Sequence, residues 1–171
     1  MPGPAGARGF ILASLLICLP APFAAADTPQ NGAAAFQARF EREKDPVHRA
    51  KMIQRLGMDE FEEIRTDVNE GNLSEAVQVL DQYRNQTRSC VDGLDAKKID
   101  AAKHSSGFKQ LQISLQEALR RLDEIIAGLT SDEQPPFVAA RGDLQKMNDH
   151  LVHELFPDTP AGNPPAEKDT P

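Results

Sequence analysis

Residues 108–129 read FKQLQISLQEALRRLDEIIAGL, and in them Phe108, Leu111, Leu115, Ala118, Leu119, Leu122, Ile125, Ile126 and Leu129 recur at alternating spacings of three and four. That spacing puts nine apolar side chains on one face of a helix and leaves the opposite face to charged and amide groups. Glu117 with Arg121, and Arg120 with Glu124, lie four apart on the polar side. Such pairs add a few tenths of a kcal/mol each and mark a solvated surface. One helix with so clean a stripe must bury it against others, which sets an all-α expectation for the chain.

The same period continues on both sides. Pro135-Pro136 opens a last helix carrying Phe137, Ala140, Leu144, Met147, Leu151 and Leu155, stopped by Pro157. Upstream, Asp45-Pro46 is a start signal, because Asp caps free N–H groups and Pro fits the first turn, where its missing N–H costs nothing. Val47, Ala50, Ile53, Leu56, Gly57, Phe61, Ile64 and Val68 then form one face as far as Glu70, with Gly57 the weak point. Gly71 suits a helix end, and Asn72 with Glu75 three residues on has capping-box spacing. The next helix carries Leu73, Ala76, Val77, Leu80, Tyr83, Cys90, Val91 and Leu94, and ends between Asp92 and Lys103. His104 to Gly107 and Thr130 to Gln134 read as loops, and Lys97, Lys98, Lys103 and Lys109 as a solvated cluster. No period-2 alternation of convincing length competes. The expected fold is all-α: an antiparallel up-down-up-down four-helix bundle, or two stacked helical hairpins, with disordered termini.

Outside this core the sequence changes character. Arg8 precedes the apolar run Phe10 to Leu19, then Pro20, Pro22 and the small residues Ala24-Ala25-Ala26. That is the layout of a secretory signal peptide. Ten apolar residues reach only about half the ~20 that a spanning helix needs, and no later segment is longer. Residues 1–26 are therefore expected to be a signal peptide, 27–44 a flexible segment gaining helix near Ala33, 45–156 the helical domain and 157–171 a disordered tail rich in proline. Such a tail offers too little apolar surface to offset the entropy of ordering. Cleavage near Ala26 makes the protein periplasmic or extracellular, with no transmembrane helix in the mature chain.

Composition narrows the partners. The 171 residues hold 19 Lys plus Arg against 26 Asp plus Glu, a formal charge of −7, with 8 Phe, one Tyr and no Trp. Cleavage after Ala26 removes Arg8 alone among the charged residues and takes the mature charge to −8. Nucleic acid is excluded as a partner, since phosphate binding needs clustered cations and single strands need aromatic platforms. Cleavage also removes Cys18, leaving Cys90 alone, so no internal disulfide forms despite export. On its stripe with Tyr83, Cys90 reads as a buried thiol.

Two local resemblances and one of the whole chain add to this reading. Gly71-Asn72-Leu73-Ser74-Glu75-Ala76, continuing to Leu80 and Tyr83, resembles the second half of a tetratricopeptide repeat, without a second copy 34 residues on. Leu129-Thr130-Ser131-Asp132-Glu133-Gln134 resembles the Leu-Thr-x-x-Gln element of small periplasmic all-helical chaperones of the Spy and CpxP type, one residue longer and present once. The resemblance implies a chaperone-like protein that binds other polypeptides. The chain as a whole is similar to exported all-helical bacterial proteins of unknown function.

For chemistry the sequence offers one constellation, His150-Leu151-Val152-His153-Glu154, in which two imidazoles three apart on a helix have metal-ligand spacing. The order is neither His-Glu-x-x-His nor His-x-x-Glu-His, and haem attachment by Cys-x-x-Cys-His is absent. A metal- or haem-binding bundle using His150 and His153 is thus the alternative to the main expectation. That expectation is an exported, non-catalytic interaction protein with no cofactor and an unidentified protein partner in the envelope or periplasm, a second copy of itself included. Asn72-Leu73-Ser74 and Asn85-Gln86-Thr87 also match the N-glycosylation acceptor pattern.

Overall fold

The computed structural model describes residues 29–101 and 103–157. The expected signal peptide and all but the first residue of the proline-rich tail lie outside the described residues. Five helices run α1 (Pro29–Arg42), α2 (Pro46–Glu70), α3 (Leu73–Ala96), α4 (Ser105–Gly128) and α5 (Pro135–Leu155). The protein is an all-α helical bundle, with no strand among the described residues.

Local chemistry accounts for the boundaries. Asp45 caps α2, its Oδ1 accepting the His48 N–H at 2.8 Å, with Pro46 in the first turn. Gly71 ends α2 at φ +80°, its N–H and that of Asn72 returning to the carbonyls of Val68 and Asp67. This left-handed residue ends the helix as glycine can, without Cβ strain. Since nothing crowds its Cβ position, Gly71→Ala is expected to lower stability by about 1–2 kcal/mol through backbone strain alone, read as a shift of the urea midpoint. The capping box at Asn72 does not form: its amide donates to Glu70 Oε2 at 3.1 Å and caps no N–H of α3. α4 begins at Ser105, earlier than the loop reading of His104 to Gly107, and Gly107 in its first turn lies close against Val47 of α2.

The arrangement combines the two expected architectures. α2 packs against α3 and α4, and α5 packs against α4 and α3. The hairpins α2/α3 and α4/α5 are therefore stacked, with α3 and α4 on a diagonal. Chain direction alternates, so the stacked partners are parallel. Gln54 and Gln110 join the first halves of α2 and α4 at 2.5 Å, while Arg88 with Asp143 at 3.3 Å and Asp95 with His150 at 3.0 Å align α3 and α5. A single core runs through all four, including Ile53, Ile64, Leu80, Leu94, Leu111, Leu115, Leu122 and Leu144.

Within the stretch 27–44, read as a flexible segment gaining helix near Ala33, the described residues Pro29–Arg42 form α1, and Phe40 is fully buried. Phe36 and Phe40 lie one turn apart, facing α2, where the guanidiniums of Arg55 and Arg49 sit 4.6 and 4.4 Å over their rings. Two aromatic anchors with cation–π partners supply the apolar surface that the rest of this alanine- and glycine-containing helix lacks.

Candidate functional site

Parallel α2 and α4 leave a groove between them. Its narrow half, 270 Å³, is lined by Gly57, Met58, Phe61, Tyr83, Ile113, Ser114 and Ala118 among others. The wide half, 770 Å³, continues past Val68, Leu73, Ile125 and Leu129. Phe61 and Arg121 line both halves, so the two are continuous. Small residues create the floor: a Cβ on Gly57 would stand 2.8 Å from the Tyr83 ring. The ring therefore reaches the α2 backbone, and neither Gly57 nor Ala118 fills the space above it.

At the mouth Met58 is 56% and Ile113 49% accessible, two of the four large apolar side chains so exposed among the described residues, with Val138 and Phe156 away from the groove. Most charged groups on the rim are already paired with one another, while Glu133 accepts hydrogen bonds from Thr130. Arg65 meets Glu62 at 2.6 Å, Arg121 meets Glu117 at 2.8 Å, and Arg120 bridges Glu117 and Glu124. Hydrogen bonds from Arg120, then Arg121, hold the Glu117 carboxyl down to about 2. It stays ionised throughout the neutral range. An apolar floor within a rim of neutralised pairs accepts an apolar side chain far better than a free ion, because an ionic ligand would have to displace existing pairs.

The residues picked out for chemistry lie elsewhere. His150 Nε2 contacts both carboxylate oxygens of Asp95, at 3.1 and 3.0 Å, and joins α5 to α3. His153 is exposed in the last turn of α5. Among the described residues, no group of three or more His, Cys, Asp and Glu is placed to hold a metal ion. The nearest partner of His150 is thus a single carboxylate on another helix. Cys90 is fully buried, and burial pushes its thiol up to about 12, so the reactive thiolate does not form at neutral pH. Of the two glycosylation patterns, Asn72 is exposed at a turn, whereas Thr87 is completely buried inside α3.

Sequence reading passed over Met58, Ile113 and a buried polar cluster around Glu60. Ile113 was visible in principle, as an isoleucine two residues beyond Leu111 and outside the stripe. No described helix is long and apolar enough to cross a membrane. Compared with known proteins, the chain matches no family model, no curated protein and no solved structure.

Proposed function

We propose that this protein is an exported, non-catalytic helical module that binds an apolar segment of another polypeptide in the α2–α4 groove. The observation that carries the reading is the mainly apolar narrow half of the groove, with Met58 and Ile113 exposed at its mouth. Exposed methionine is suited to such work, since its unbranched thioether repacks around ligands of differing shape. A groove between two helices also matches the way an amphipathic helix is held, by apolar anchors one turn apart. The paired rim favours chain segments over charged small molecules. Residues 1–26, read as a signal peptide, support action outside the cytoplasm, and the Leu129 to Gln134 resemblance supports a chaperone-like role.

The test is suppression of aggregation, followed by light scattering of a chemically unfolded client. The wild-type chain is expected to suppress it at near-stoichiometric ratios. Met58→Glu combined with Ile113→Glu is expected to abolish suppression while moving stability by less than about 1 kcal/mol, since both positions are about half exposed. No suppression by the wild type, or full suppression by the double variant, overturns the proposal.

A further inference from the structure

Beneath α1, where it meets α2 and α3, lies a carboxyl group that the groove does not use. Glu60 is only 6% exposed. Its Oε1 accepts from Gln82 Nε2 at 2.9 Å and Gln86 Nε2 at 3.0 Å, while its Oε2 is buried with no hydrogen-bond partner. Gln86 Nε2 also lies 3.2 Å from Oε1 of Gln37, which ties α1 into the cluster. Glu60 is faced from α2 by Glu63 and Asp59, both of its own charge. From α3 come the amides of Gln82 and Gln86 and the phenol of Tyr83. From α1 comes Gln37, whose own Nε2 donates to Glu41 at 3.0 Å. Arg49 and Arg55 of α2 are turned onto the rings of Phe40 and Phe36.

A buried carboxylate needs hydrogen-bond donors on both oxygens or a nearby cation, whereas the neutral acid carries no charge to compensate and only one O–H to place. Burial accordingly raises Glu60 to about 7 from its ordinary 4.5, against the opposing pull of Gln82 and Gln86. We propose that α1 is a pH-gated strap, closed over Glu60 while that carboxyl is neutral and lifted from α2 as it ionises, baring the seat of Phe40.

The sign follows from linkage. The closed state holds the proton to about pH 7, and an opened, hydrated carboxyl only to the ordinary 4.5. Closure is therefore strongest below pH 4.5, weakens about tenfold per pH unit up to 7, and is level above that. The full span is roughly 300-fold, the ratio that separates a group at about 7 from one at 4.5.

The chain has no tryptophan, so Phe36→Trp places a single reporter on α1 in the full-length protein. Its emission is expected to shift to longer wavelength, and its quenching by acrylamide to rise, between pH 4.5 and 7. In the Phe36→Trp, Glu60→Gln protein, where the side chain keeps its shape and stays neutral, both signals are expected to be flat. Far-ultraviolet circular dichroism shows that each variant is folded. Hydrogen exchange of residues 33–42 in the unsubstituted chain, corrected for intrinsic rates, gives the same profile without a probe. A pH response that survives Glu60→Gln would assign the effect to another group and overturn the proposal. A flat response in the Glu60 protein, in both fluorescence and exchange, overturns it equally.

Discussion

Tyr83→Ala is expected to lower the stability of the bundle by about 3–5 kcal/mol, the range for removing a large aromatic from a packed interior. The residue is 1% exposed and sits where three helices converge. It projects from α3, meets Phe61 of α2 edge-on with ring centroids 5.2 Å apart, and brings its hydroxyl within 3.5 Å of the Ser114 carbonyl on α4. Against a total that runs to roughly 5–15 kcal/mol in proteins of this kind, such a loss moves the urea midpoint far enough to be unmistakable. Tyr83→Phe should cost less than about 1 kcal/mol, because a 3.5 Å hydroxyl contact is too long to contribute much and its removal relieves a desolvated oxygen. The cause can be isolated at Gly57. With Tyr83 present, Gly57→Ala puts a methyl 2.8 Å from the ring, and overpacking of that kind costs about 1–3 kcal/mol. With Tyr83→Ala in the background the clash is gone, and alanine's better helix propensity, worth about 1 kcal/mol, should make the same change neutral or stabilising. A double-mutant cycle without coupling would contradict the close approach of α2 and α3.

The same pair shows where sequence reading succeeds and where it stops. Gly57 and Tyr83 each fell on the correct stripe because helical period is a local property, visible in a few turns of sequence. That Gly57 marks a contact, where sequence alone suggested a weak point, depends on a partner 26 positions away. Periodicity carries no such information. The helix ends at Asp45, Gly71 and Pro135 were legible for a local reason also, since each rests on one residue's backbone preference. The diagonal step from α3 to α4 was not, because it is decided by which stripes fit together. The groove was half legible: Ile113 stood off its stripe, but Met58 looked like any surface methionine. Glu60 was invisible, being one glutamate among many until Gln82, Gln86 and Gln37 close around it.

The segment that sequence reading treated as flexible gives the other large effect, in Phe40→Ala. Phe40 is completely buried, so in a rigid core its loss would cost about 3–5 kcal/mol. α1, however, has only 14 residues, at the length where an isolated helix is marginal in water, and its packing is against α2. The free energy that can be lost is therefore capped by the free energy of docking. Once that is spent, α1 unfolds by itself and the remaining helices no longer register the change. Phe40→Ala is expected to raise hydrogen exchange across residues 33–42 by a hundredfold or more and to remove the helical signal of α1. The global urea transition should shift much less than in Tyr83→Ala. The Arg49 guanidinium, which now covers the Phe40 ring, would turn to solvent. If instead the amides of α1 and of α2 to α5 exchanged together, with the whole penalty appearing in the global transition, α1 would be an integral fifth helix. A strap that opens on ionisation of Glu60 would then have no separate unit to move. Local loss of α1 with an intact bundle is what that mechanism requires, and Phe40→Ala tests it without touching a titratable group.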